Sequence, residues 1–218
     1  MPFHEAPRFL SNYMFIFVSL YGLGTKGQKN MSGMASQKYD EIVIHEDDPA
    51  HVLRHPTKPV NQIEWDDIKY ITQRLMDVRQ NILKGGAGLA APQIGSSLPV
   101  FIYTPDRTTE GLKVVINPSF EPIGEEMIEG EEACFSVPLK SSKIKRWAKI
   151  KVQYLNLDGK TVNDVLEGFA AKVFQHEIDH LNGKLTIDHE KAEIISFETP
   201  EAFQAHMQQV HQEDSKSY

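Results

Sequence analysis

His176 and His180 stand four residues apart in the pentad His176-Glu177-Ile178-Asp179-His180. On a helix, residues at that spacing share one face, about one turn apart. Two imidazoles can then meet one metal ion, with a carboxylate beside them to handle protons. An ion so held lowers the pKa of water from about 15.7 to roughly 7. Glu177 is the natural acceptor of that proton and its donor to a departing amine. Two ligands do not complete a site, and Cys134, the one cysteine of the chain, is the best candidate for a third. A thiolate with two histidines binds a borderline-soft ion and leaves a fourth position open. A lone cysteine is more often an inert buried side chain, and the sequence by itself does not bring Cys134 to the helix.

A third stretch with chemical potential is Gly85-Gly86-Ala87-Gly88-Leu89-Ala90-Ala91-Pro92-Gln93. It contains G-x-G-x-x-A, but a helical pattern precedes it and Pro92 opposes a helix start after it, so a dinucleotide fingerprint is rejected. The remaining options are a glycine-rich helix stop, or a loop whose backbone comes close to a ligand with the Gln93 amide directed at an oxyanion.

The elements that must position these groups are partly legible. Ile68, Ile71, Leu75, Val78 and Ile82 recur at steps of three and four, which predicts an amphipathic helix over residues 67–84 stopped by Gly85 and Gly86. Short strand-like runs follow at residues 100–103, 114–116 and 134–137. A longer one covers 148–156, and Asp158-Gly159 is read as its hairpin turn. The catalytic helix is expected over 166–181, with Phe169, Val173, His176 and His180 along one line and Asn182-Gly183 as its stop. A weaker helix begins with Thr199 as N-cap and Pro200 in its first turn. The fold class is α+β, with short antiparallel strands packed around one helix.

The chain has 218 residues, enough for one domain and its core. A net charge of −7 gives no basis for bulk electrostatic binding to nucleic acid, and neither DNA nor a membrane is expected as a partner. One cysteine excludes an intrachain disulfide and fits a reducing compartment. The apolar stretch at residues 13–18 lacks the flanks of a secretory signal and is shorter than the roughly 20 apolar residues of a spanning helix. Residues 1–38 are read as an appendage from an upstream start codon, with membrane targeting and partner docking as alternatives. The packed domain is placed at 39–198, and a C-terminal helix and tail at 199–218.

Three segments together resemble the peptide deformylase family. Gly86-Ala87-Gly88-Leu89-Ala90-Ala91-Pro92-Gln93 matches its first motif, Glu132-Ala133-Cys134-Phe135-Ser136 resembles its second, and Gln175-His176-Glu177-Ile178-Asp179-His180-Leu181 matches its third. The resemblance covers about residues 39–188. It implies that Cys134, His176 and His180 bind Fe²⁺ in cells, with Zn²⁺, Ni²⁺ or Co²⁺ as substitutes. Glu177 would be the general acid and base, and Gln93 and the Phe135 N–H would polarise the formyl oxygen. Substrate contacts are implied at Gly88, Ala87, Glu132, Phe169 and Val173, the last two and Ala87 forming a methionine pocket. The implied reaction is a cytoplasmic one, removal of formate from the N-formyl-methionine of nascent polypeptides. Two residues depart from the pattern: Ala133 replaces a glycine and Phe135 a leucine. If that glycine uses positive φ, alanine costs about 1 kcal/mol there and tilts Cys134.

Two other readings are carried. A zincin-type endopeptidase would take its third ligand from Asp188, His189 or Glu190. A non-catalytic relative would hold peptide ends without hydrolysis. Lys140, Lys143, Lys145, Arg146, Lys149 and Lys151 are read as a solvated strand face, with transient ribosome contact as the alternative. His189, His206 and His211 are read as surface residues, and Trp65 and Trp147 as packing residues.

Overall fold

The computed structural model describes residues 41–61, 65–108 and 110–214. The whole of the N-terminal appendage, residues 1–38 with its apolar stretch, lies outside them. Among the described residues the chain forms three α-helices and eight strands: α1 (Trp65–Asp77), β1 (Gly88–Ala90), β2 (Val100–Tyr103), β3 (Lys113–Pro122), β4 (Met127–Cys134), β5 (Val137–Trp147), β6 (Lys149–Leu155), β7 (Thr161–Glu167), α2 (Gly168–Leu181), β8 (Glu193–Ser196) and α3 (Pro200–Asp214). All pairings are antiparallel. One sheet runs β1-β2-β3-β6-β7 and the other β4-β5-β8. This is the α+β architecture expected.

The five-stranded sheet is covered on both faces where β2 crosses it. Successive side chains of a strand point to opposite faces. Phe101 and Tyr103 enter the core beneath α2, while Val100 and Ile102 enter the core beneath α1. The strand therefore has no polar alternation to display, which is why it reads as a continuous apolar run. Phe174 of α2 meets Phe101 and Tyr103 edge-on, with ring centroids 5.1 and 5.5 Å away. Trp65 and Trp147 pack against the two cores, as expected.

Four expectations are corrected. Helix α1 ends at Asp77 and continues as a π-helical turn, Val78–Ile82, instead of one regular helix to Lys84. Residues 134–137 are not one strand; Phe135 and Ser136 are the tip of the β4–β5 hairpin, with Cys134 opposite Val137. A four-residue apolar run does not reveal whether the chain continues or reverses, because pairing partners far along the chain decide it. Leu166 pairs with Ile150 in the sheet, so α2 begins only at Gly168. Ala133 does not have positive φ; it sits in the ladder opposite Ser141, and the feared strain is absent. The hairpin turn at Asp158-Gly159 and the Thr199 cap both form. In the cap, Thr199 Oγ1 accepts from the Ala202 N–H at 3.2 Å.

Candidate metal centre

Helix α2 is buried along much of its length, at Ala171, Val173, Phe174, Gln175, Glu177, Ile178, His180 and Leu181. Gln175 ties it to β5: its Oε1 accepts from the Trp147 N–H, and its Nε2 donates to the Trp147 and Ala171 carbonyls, all at 3.0 Å. Of the residues that follow, His176 and His180 face the end of the β4–β5 hairpin, at Glu132 and Cys134. Cys134 Sγ lies 3.3 Å from His180 Nε2, and the ligand atoms of Cys134, His176 and His180 all fall within 4.8 Å of one another. Among the described residues this is the one such group.

The donors fit a divalent ion. Bonds of about 2.3 Å to sulfur and about 2.0–2.1 Å to nitrogen at tetrahedral angles put those atoms about 3.5 Å apart, close to the separation of Cys134 and His180. His176 Nδ1 faces Glu132 Oε2 at 2.9 Å. That contact fixes the tautomer that leaves Nε2 free for a metal, the usual support for a ligating histidine. Burial disfavours a charged His176, but its contacts to Cys134 and Glu132 prevail and raise its pKa well above the ordinary imidazole value. Burial and the charge of His176 push His180 well below it. A metal ion competes with protons for these donors, so its binding would be pH-dependent.

Behind the ligands runs a chain of charged contacts. Glu132 receives Arg146 Nε at 2.9 Å and Nη2 at 2.8 Å. Arg146 Nη1 donates to Asp179 Oδ2 at 2.5 Å, and the same oxygen meets His189 Nε2 at 2.7 Å. Burial alone would raise the Glu132 carboxyl, but Arg146 and then His176 outweigh it and hold it well below the usual carboxylate range. Asp179 is likewise lowered against its burial, by His189 and Arg146.

Glu177 is 2% exposed and close to β1. A Cβ on Gly88 would fall inside its carboxylate, so only glycine allows this approach. Its Oε2 and His180 Nδ1 are buried without a hydrogen-bond partner among the described residues. Burial, with too little nearby positive charge to offset it, pushes the Glu177 pKa up to about 7. Gln93, 1% exposed, accepts from the Ala90 N–H through Oε1 at 2.9 Å. Its Nε2 lies 3.6 Å from Cys134 Sγ and 3.3 Å from Ser136 Oγ. Val173 belongs to the apolar core cluster against which Ala87 and Phe169 pack, and Arg107 stacks 4.0 Å over the Phe169 ring.

The structure thus brings together Cys134, His176, His180, Glu177, Gly88 and Gln93, with Phe135 at the hairpin tip. Glu132 was expected to touch substrate; its carboxylate is turned to Arg146 and His176 instead. Arg146 leaves the proposed solvated face: in β5 it shares a side with buried Ser142 and Ile144, while Lys145 points out. Strand alternation alone would have separated them. His189 and His206 are not free surface residues. The first meets Asp179, and the second meets Glu131 at 2.6 Å. Asp188 binds Arg54 and the Leu185 N–H, and neither it nor His189 or Glu190 joins the ligand group, which removes the zincin arrangement.

Comparison with known proteins gives one answer. The family model of polypeptide deformylase matches residues 40–194. A peptide deformylase of Thermotoga petrophila is 42% identical over 137 residues, 63% of this chain and 80% of that protein. One from Aquifex aeolicus is 39% identical over 151 residues, 68% of this chain and 85% of that protein. The crystal structure of the Thermotoga maritima peptide deformylase superposes with a TM-score of 0.60 at 40% identity, covering 68% of this chain and 95% of that one.

Proposed function

The chain belongs to the polypeptide deformylase family, and from that premise we propose that it removes the formyl group from the N-terminal formyl-methionine of newly made polypeptides. The observation that carries the reading is the convergence of the Cys134 thiol on the two α2 histidines, with a buried, unpartnered carboxylate oxygen of Glu177 beside them.

Cys134, His176 and His180 would hold one divalent ion, Fe²⁺ in cells, with Zn²⁺, Ni²⁺ or Co²⁺ able to substitute. When bound, the ion supplies Lewis acidity toward the formyl group and toward water. The rest falls to the chain. Glu177, with a pKa near neutrality, is matched to both halves of a proton transfer. It takes a proton as the water oxygen bonds to the formyl carbon, and returns it to the amine nitrogen as the C–N bond breaks. Formate and a free N-terminus result. Gln93, oriented by the Ala90 N–H, presents its Nε2 to the formyl oxygen together with the Phe135 N–H. The Gly88 backbone pairs with the peptide, and Ala87, Phe169 and Val173 receive the methionine side chain.

The substrates are nascent formyl-methionyl chains met in the cytoplasm. No helix among the described residues is long and apolar enough to cross a membrane. Lys145 and Lys151, exposed on β5 and β6, offer a surface for transient ribosome contact.

The test is formate release from a formyl-methionyl peptide under anaerobic conditions, with metal measured on the same sample. About one ion per chain with formate release is expected. Metal without formate release would reduce the protein to a peptide-end binder.

A further inference from the structure

Arg79 belongs to the π-helical turn Val78–Ile82 and is only 7% exposed. Its Nε donates to the Gly86 carbonyl at 2.9 Å, and its own carbonyl accepts from the Gly85 N–H at 3.0 Å. Burying a guanidinium is costly unless it is paired and hydrogen-bonded. Turns widened in this way frequently occur at functional sites. This one comes just before the segment that carries Ala87 and Gly88.

That segment is gripped at several points. Gly86 has φ +105°, and a Cβ there would lie 2.7 Å from the Phe135 ring. The Ala87 carbonyl accepts from the Thr104 N–H at 2.8 Å. Gly88 then runs against Glu177 with no room for a side chain. The Gly86 carbonyl is held by a side chain, so a point substitution can release it while every neighbouring residue stays unchanged.

We propose that Arg79 is a positioning residue for substrate: by holding the Gly86 carbonyl it sets where the Gly88 backbone meets the peptide beside Glu177. The inference rests on the deformylase reading above and assigns Arg79 no contact with substrate. One donor atom carries it, and two neutral side chains isolate that atom. Glutamine places its amide nitrogen where arginine has Nε; methionine places a methyl carbon there.

Arg79→Gln and Arg79→Met are compared as metal-loaded enzymes by formate release. The methionine variant is expected to show a KM about tenfold above the glutamine variant, the size of one buried hydrogen bond, with kcat changed by less than about threefold. Amide exchange across residues 85–90 should be faster in the methionine variant. Equal KM and equal exchange in the two variants would overturn the proposal. So would a KM rise that merely tracks lost metal and lowered Tm. If Arg79→Met does not accumulate, Arg79→Gln decides alone: a KM within about threefold of wild type supports the clamp, and a tenfold rise overturns it. Failure of the wild-type protein to release formate would strike the deformylase reading instead, and the exchange comparison would still decide the role of Arg79.

Discussion

On the metal side of the site, Glu132, Arg146, Asp179 and His189 form an unbroken series of charged contacts behind the histidines. On the side assigned to substrate, the segment 85–88 has glycine at three of four positions and approaches Glu177 and Phe135 as nearly bare backbone. The first wall is held because each group in it is hydrogen-bonded to the next, with Glu132 and Arg146 buried. The second fits because side chains are missing. Errors in the two should therefore differ in kind: damage to the charged wall removes the ion or the fold, and damage to the bare wall leaves both and spoils the chemistry.

The largest expected effect is on the ligand itself. Cys134→Ala should lose the bound metal and lower formate release by about 10⁴-fold or more; full metal content in that variant would dissolve the proposed site. Next, Glu177→Gln should keep the metal and lower kcat by about 10²–10⁴-fold. A drop of less than tenfold would remove Glu177 from proton transfer. Arg146→Met strikes the charged wall. It strands the buried Glu132 carboxylate, and about 3–5 kcal/mol of stability should go with it, read from urea unfolding. Metal affinity should fall about 10–100-fold in the same variant.

A pH experiment separates the walls further. In metal-free protein the folded-state pKa of Glu177 is about 7, against an ordinary value of 4.5. Below 4.5 folded and unfolded chains are both protonated there, so its contribution to stability is fully present. Between 4.5 and 7 the unfolded chain releases a proton that the folded chain keeps, and stability falls by about 3 kcal/mol. Glu177→Gln should lack that decline; parallel urea midpoints for the two proteins from pH 4.5 to 8 would refute it. Smallest is Gly88→Ala. Its Cβ would overlap the Glu177 side chain and displace the carboxylate, so kcat should fall about tenfold with metal retained. Loss of the ion in this variant would mean the two walls are not separate.

The charged wall and the bare wall were also unequally legible in the sequence. His176, Glu177 and His180 declare themselves because helical spacing is local, and Cys134 and Gln93 followed from motifs around them. Arg146 was hidden among lysines, since charge counting ignores which face of a strand each residue takes. Asp179 sat inside the recognised pentad, but its partners Arg146 and His189 come from β5 and from the stretch after α2, a meeting that only tertiary structure creates. The helix–sheet architecture was legible from periodicity, yet β4 and β7 were not. Met127–Cys134 is rich in acidic residues and reads as a loop. It is a strand because β5 pairs with it along its length. Arg79 escaped notice because the run of steps of three and four continues through the π-helical turn without a break.

Cys134 and the histidines belong to different cores. The sulfur packs with Leu53, Val137 and Leu185, while α2 is seated against the five-stranded sheet. An ion shared between them would add a rivet to the seam that Gln175–Trp147 and Arg146–Asp179 already fasten. Withdrawing it with a chelator should slacken the seam first at the hairpin tip around Cys134, where the ion is the added tie, so that protease nicks there sooner than in the loaded protein.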